Sequence, residues 1–502
     1  MPDPATLSAR TAAIVAWVGG QSAAAVDAAL ADRRHPFFAV AEDLADAADS
    51  TEDSVRSGGL HALFSGLVEP LNDGFTPAGR AAYARLFTAV VWRAAQRQPA
   101  LHAALLAERL TDESLLFARY THVRSAGGPL PEAPRRIAVL SRVTIGADIL
   151  LTSVALQAVA TRWPQAEISL IGDGKLSGLF GGGGNSAAGA AAVGTTAGGT
   201  ADGAFPAVQV VPLAYRRRGG LGERLSAWLA LREALAKNPP DLLVNPDSRL
   251  DQLGILPSAP AAQTLLWENL LPGPAESLAD RCAKDFAARL QLPTIASLRP
   301  RLALDQATRT VATRWRGLLG GGLLAGGPWL AVKLDHGGNP AKALPREREI
   351  DLLRAARSAG WRILIDRGFG PDELAGSDRL LHELGWTVLD VDDSGDPAKG
   401  AAIHGLTSVG EAPVVRFHGS IAGWAAALTA CRRAFSYDSV GHHLAAALGV
   451  PVVVAFTGHS DPAFPIAWQP RGNGAVELVV IPTAEKHREA HTAQVIAAIG
   501  PA

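Results

Sequence analysis

"SYDSVGHHLAAALGVPVVVAFTG" runs from Ser436 to Gly458. A polar cluster, Asp438 to His443, opens an Ala/Leu-rich helix, and an apolar run, Val450 to Phe456, follows at once. A short helix feeding straight into a Val-rich run predicts an α-to-β step of a buried parallel sheet. The start of such a helix carries unpaired backbone N–H groups and the positive end of the helix dipole. Small polar residues there cap the helix, and they equally hold a phosphate-bearing ligand. Asp438 or Ser439 satisfies the first reading. Gly441 with the adjacent His442 and His443 exceeds what a cap requires, because imidazoles donate to a diphosphate or to sugar hydroxyls. A metal centre is not expected, since no third ligand sits at suitable spacing and adjacent residues project apart on a helix.

The rhythm extends outward from this stretch. "PWLAVKLD" (Pro328–Asp335), "WRILIDRG", "WTVLDVD" and "APVVRFHG" are apolar strands separated by helical segments. Upstream, "RIAVLS" (Arg136–Ser141), "AEISLIG", "AVQVVPL", "DLLVNPD" and "AQTLLWEN" repeat the pattern, with helices expected over Ile149 to about Arg162 and over "LGERLSAWLALREALAKN". The fold class is therefore α/β, two tandem Rossmann-like doubly wound parallel sheets, with ligands expected beyond the carboxyl ends of the strands. Residues 1–130 carry apolar residues at helical spacing only, and "GGPLPEAPRR" reads as a linker. The division expected is an all-helical N-terminal domain (1–130), a first sheet domain (135–300) and a second (320–502). "GGGGNSAAGAAAVGTTAGGTADGA" (181–204) interrupts the first sheet domain and is expected to be a surface loop.

Composition bounds the partners. The chain has 502 residues, 48% of them hydrophobic, and a formal net charge of -1. No global field draws it to nucleic acid or to an anionic membrane. Its two cysteines, Cys282 and Cys431, make no disulfide framework. "AAIVAWVGG" (Ala12–Gly20) is too short to span a bilayer, so neither signal peptide nor anchor is expected and a cytoplasmic setting is, with peripheral contact at the inner membrane as an alternative. "YRRRGG" brings Arg216, Arg217 and Arg218 together; the cluster is a solvated face or steers an anionic acceptor. "GDGKLSG" follows the second strand rather than the first and reads as a turn, not a phosphate loop. The acidic run Ala41–Ser54 reads as a solvated helix end, and Trp424 and Trp468 as core or cleft lining.

Three segments carry a family resemblance over residues 135 to 480. "IGADILLTSVALQAVATRWPQAEISLIGDGKLSGLF" (Ile145–Phe180), "LDHGGNPAKALPREREIDLLRAARSAGWRILI" (Leu334–Ile365) and the opening stretch, with "FTGHSDPAF" behind it, resemble glycosyltransferase family 9, the heptosyltransferase-like proteins of GT-B fold. Asp438, Ser439 and His443 match the family's Asp-Ser/Thr-Gly…His-Leu pattern. Val440 stands where the family has Gly, Ala147 replaces a Gly, and Ala343 and Leu344 replace Arg-Trp. The helical N-terminal part lies outside the resemblance.

The resemblance implies inverting, metal-independent transfer of a sugar from a nucleotide-diphosphate donor such as ADP-heptose, with no cofactor, to a glycan, lipid-linked or protein acceptor, as in lipopolysaccharide biosynthesis. It places Asp148 as the base and Lys342 on the donor phosphates. Read from the residues, His336, Gly337, Gly338 and Thr457 join Asp438, Ser439, Gly441, His442 and His443 as expected donor contacts, His336 equally being a loop histidine, and Arg216–Arg218 are expected at the acceptor or on a solvated face. Taken as residues alone, Asp148 equally caps a helix, and Lys342 equally is a solvated lysine. Two alternatives stand beside transfer: another nucleotide-sugar enzyme on the same scaffold, epimerase-like, or a non-catalytic binding protein whose helical domain mediates assembly with itself or a partner.

Overall fold

The structure is a computed structural model. It describes residues 2–502 apart from 127–128, 184–204, 217–218, 260–263, 272–275, 294, 296, 322–323, 325, 337–338, 396–402, 405–413 and 460. Two compact units form: 1–144 with 158–174 and 209–292, and 145–157 with 175–208 and 293–502.

In the first unit, helices precede a sheet. Pro4–Gly19, Pro36–Ala48, Pro77–Arg97 and Pro99–Ala107 each begin on proline, whose fixed φ and missing N–H suit the first helical position. Asp3 and Thr76 cap two of them. The sheet has five strands, β1 (Arg136–Leu140), β2 (Glu167–Gly172), β3 (Val208–Pro212), β4 (Leu242–Asn245) and β5 (Thr264–Leu266), in the order β3-β2-β1-β4-β5. β1 runs parallel to both β2 and β4, and β4 parallel to β5.

The helical residues do not form a core of their own. Leu7, Ile14, Leu44, Phe87 and Val90 share one continuous core with Leu221, Leu225 and Trp228 of the helix Leu221–Lys237 and with Leu253, Ile255 and Leu256 beyond β4. This differs from the free-standing helical domain expected, and the reason is polar as well as apolar. Arg80, 1% exposed, donates to both oxygens of Asp247 (3.1 and 2.8 Å) and to Asn269, and lies 3.4 Å from Glu268. Burial works against the Arg80 charge, and Asp247 and Glu268 more than offset it. Tyr83 donates to the Gln252 carbonyl, and Arg119 to those of Gly254 and Ile255. The loop so gripped holds Asp247, Gln252 and Leu253 at positive φ (66°, 56° and 60°), which costs free energy at non-glycine residues and persists only where the surroundings enforce it.

The second unit carries an eight-stranded sheet: β6 (Trp329–Lys333), β7 (Arg362–Asp366), β8 (Val388–Val391), β9 (Ile403–His404), β10 (Val414–Phe417), β11 (Arg433–Tyr437), β12 (Val452–Phe456) and β13 (Val476–Val480), in the order β13-β12-β11-β6-β7-β10-β8-β9. Every pairing is parallel except that of β8 with the two-residue β9. β6 and β12 are buried at every position, as expected of strands covered on both faces. Among the described residues one helix, Ile145–Arg162, is long and apolar enough to cross a membrane, and 72% of it is buried inside the protein.

Removing one member of a buried ion pair strands the other in a dry site, at a cost of roughly 3–5 kcal/mol. Arg80→Ala should lower the unfolding free energy by that amount in a urea titration. A loss within the range of about 1 kcal/mol seen for exposed pairs would show that Arg80 does not lock the helical residues to the β4 loop.

Candidate functional site

The second sheet winds outward in both directions from the boundary between β11 and β6, and such a reversal leaves a crevice at the carboxyl ends of the two strands. Register fixes what lies there. Ser436 pairs with Lys333, and Tyr437 with Ala455. Continued along the parallel strands, this brings His336, Ser439 and Thr457 level at one edge.

The Lys342 turn, Pro340–Lys342, follows β6 and is capped by Asn339. Lys342 is ion-paired with Asp438, its ammonium 5.9 Å from the Phe464 ring. Gly458, after β12, has φ 76°, and a Cβ there would lie within 2.6–2.8 Å of the Ala341 and Lys342 backbone. The loops after β6, β11 and β12 therefore meet around Lys342.

Ser439 is the cap of the helix Val440–Ala447, its hydroxyl accepting from the Gly441 N–H at 3.3 Å. Asp438 is thereby left to Lys342. Gly441 allows a close approach: a Cβ would sit 2.7 Å from Cδ of Lys333, whose buried ammonium is held by Asp366 and lies 3.7 Å from Asp335.

Both histidines are buried, and their rings meet at 3.9 Å, against the expectation that neighbours on a helix diverge. His442 Nδ1 lies 3.0 Å from the Tyr437 carbonyl oxygen and 3.3 Å from the Ser439 backbone nitrogen. Burial lowers the pKa of His442 and holds that of His443 well below its usual value, so both rings are neutral at pH 7. Among the described residues, His443 Nδ1, Thr457 Oγ1 and His336 Nδ1 are buried without a hydrogen-bond partner, an expensive state unless a ligand completes it.

Asp148 is not a helix cap. The helix starts at Ile145 rather than Ile149, and Asp148 opens a turn of π-helix, Asp148–Thr152, where it accepts from the Thr152 hydroxyl at 2.7 Å. π-turns inside α-helices are frequent at functional sites. Asp148 is 1% exposed. Its turn packs on the helix Val440–Ala447, and a Cβ on Gly146 would come within 3.0 Å of the His443 ring. The carboxylate segment and the histidine helix thus belong to one assembly.

The remaining expected residues scatter. Gly337 and Gly338 lie outside the described residues, as do Arg217, Arg218 and loop residues 184–204. Arg216 is exposed, 3.8 Å from Glu223. "GDGKLSG" is a single 3-10 turn leading into Ser177–Phe180. Trp424 is core, packed on Phe417, whereas Trp468 is half-buried beside Phe464. Among the described residues no three His, Cys, Asp or Glu side chains gather as metal ligands.

Sequence reasoning missed one pair. Tyr437, the last residue of β11, donates to Glu349 at 2.9 Å, and both are buried. Tyr437 reads as an ordinary strand residue and Glu349 as one charge among several in "REREIDLL"; no local pattern joins them.

No protein-family profile matches this sequence, and no curated protein does. Solved glycosyltransferases are similar to it. A glycosyl transferase family 9 structure from Veillonella parvula shares 17% identity over 74% of this chain and 91% of its own, with a TM-score of 0.47. The Escherichia coli heptosyltransferase WaaC with ADP shares 18% over 73% and 100% (TM-score 0.45), and the E. coli ADP-heptose LPS heptosyltransferase II 14% over 72% and 99% (TM-score 0.42). At that distance residue roles do not transfer, and the geometry of the site has to carry them.

Burial pushes Glu349 up to about 7, against the pull of Arg346 and of the Tyr437 hydroxyl. A carboxyl whose folded pKa lies above its ordinary 4.5 stabilises the fold fully below that value and loses the contribution as pH rises through the folded one. A tenfold change in proton affinity corresponds to about 1.4 kcal/mol. The stability of the wild type relative to Glu349→Gln should therefore fall by a few such increments as the pH is raised from 4.5 to above 7. A difference that stays flat across this window would mean that Glu349 is already ionised in the fold.

Proposed function

We propose that this chain is a glycosyltransferase that moves a sugar, heptose among the candidates, from a nucleotide-diphosphate donor to a hydroxyl of a glycan, lipid-linked or protein acceptor, with inversion and without a metal. The observation that carries the reading is the convergence on Lys342. One ammonium, the start of the helix Val440–Ala447 and the buried, partnerless His443 Nδ1 and Thr457 Oγ1 gather at the reversal of the parallel sheet. Lysine neutralises phosphate as a point charge, and a helix start presents N–H groups to it. The family resemblance of the same three segments supports this assignment.

In the reaction the acceptor oxygen attacks the anomeric carbon from the face opposite the diphosphate. The bond from carbon to phosphate oxygen breaks, and its electron pair leaves with the diphosphate. Lys342 and the helix N–H groups take up the charge that develops there, the larger part of catalysis in such transfers. The acceptor proton goes to Asp148, whose turn rests on the histidine helix. Asp148 accepts the proton late, once the attacking hydroxyl has acidified. Neutral His443 contributes one N–H without adding charge.

Asp148→Asn keeps an oxygen to accept from Thr152 and removes the base. It should bind ADP, UDP or GDP as the wild type does while losing transfer by about 10²–10⁴-fold, read as release of nucleoside diphosphate from nucleotide sugars in the presence of a bacterial glycolipid fraction. Lys342→Ala should instead weaken nucleotide binding. Full turnover in Asp148→Asn would remove Asp148 from the chemistry, and unchanged nucleotide affinity in Lys342→Ala would remove the donor site from this edge.

A further inference from the structure

Two links join the segment after β6 to the end of β11. The outer one is the ion pair of Lys342 with Asp438. The inner one lies beneath it. The Tyr437 hydroxyl donates to Glu349 Oε1 at 2.9 Å. The other Glu349 oxygen lies 3.2 Å from Arg346. Tyr437 adjoins Asp438 in the chain, and Glu349 lies on the helix Arg346–Ser358 that follows the Lys342 turn. The inner link thus ties the neighbour of Asp438 to the helix that the Lys342 turn leads into. Tyr437 itself cannot drift: its ring packs edge-on to Phe435 at 5.7 Å, and both rings belong to the core under the sheet.

We infer that Tyr437 and Glu349 are positioning residues for the donor site, setting the separation of Lys342 from Asp438 through the node at the Tyr437 hydroxyl. The inference rests on the reading of Lys342 and Asp438 as the diphosphate site. Its physical basis is that the outer link cannot do this work alone. A lysine that turns to a phosphate gives up some of its bond to Asp438, and its four-carbon stem is flexible. The inner link is buried and joins the same two segments without drawing on Lys342 or Asp438. Without the hydroxyl, a Glu349 oxygen would lose its donor in a buried place, where leaving polar groups unpaired is costly. The Lys342 turn would then relax away from Asp438.

The test is calorimetric titration of ADP, UDP and GDP into the full chain. For whichever binds the wild type, Tyr437→Phe should weaken affinity about tenfold, the worth of one lost buried hydrogen bond, with the fold retained by circular dichroism. Glu349→Leu should match it, and Glu349→Gln, which keeps an acceptor oxygen, should return to the wild-type affinity. A packing role would not distinguish Gln from Leu in this order. In a Lys342→Ala background, Tyr437→Phe should cost nothing further, because residues acting through one group are not additive. If Tyr437→Phe does not fold, the Gln and Leu variants of Glu349 decide the matter. Affinity lost on Lys342→Ala but unchanged in Tyr437→Phe and Glu349→Leu would overturn this inference alone. A wild type that binds none of the three nucleotides would overturn the donor site, and this inference with it.

Discussion

Parallel pairing sends every strand-to-helix turn of a sheet to one edge, and the rest of the second unit follows from that constraint. A chain that only ever crosses over in one direction has no gap along that edge. Here β7 is laid down on one side of β6 and β11 on the other, so a crevice opens at the carboxyl ends of β6 and β11 and their loops meet across it. Lys342 comes from one loop and Asp438 from the other, 96 positions apart in the chain. The glycines are placed where loops must close in: Gly458 against the Lys342 backbone, Gly441 over the Lys333 stem, Gly146 against the His443 ring. Larger side chains at these positions would separate the polar groups that the sheet brings together.

The first unit meets a different demand. A five-stranded sheet exposes the loop after β4, and that loop holds three non-glycine residues in the left-handed region. The helices supply both the apolar cover, through Leu253, Ile255 and Leu256, and the polar restraint, through Arg80, Tyr83 and Arg119. Asp251 lies in the same loop, buried and pushed up to about 6, with Asn245, Gly254 and Ser258 as hydrogen-bond donors. The helical residues are therefore part of what keeps the β4 loop in its conformation, and in that respect they belong to the sheet they cover.

Much of the fold was legible because continuous Val/Ile/Leu runs separated by helical periodicity have few interpretations. The strands from "RIAVLS" to "PVVVAF" lie where the pattern puts them. A cap at Asp438 or Ser439 was legible from the small polar residues ahead of Gly441, and the structure places it on Ser439. What was not legible required a partner distant in the chain. Periodicity shows that the first helices have an apolar face; it does not say that Trp228 and Ile255 cover it. The early start of the helix at Ile145 was hidden because Gly146 reads as a turn, whereas here its missing side chain makes room for His443. The contact of the two histidine rings and the Tyr437–Glu349 bond depend on packing that no local spacing encodes.

The central claim is that the Lys342–Asp438 pair marks a nucleoside-diphosphate site. A crystal structure of the full chain grown with ADP, or with whichever of UDP and GDP binds, tests it most directly. The account predicts the diphosphate at the start of the helix Val440–Ala447, with Lys342 Nζ turned onto a phosphate oxygen and His443 or Thr457 within hydrogen-bond reach of the ligand. Nucleotide bound away from the carboxyl edge of β6, β11 and β12, with Lys342 still committed to Asp438 alone, would contradict it.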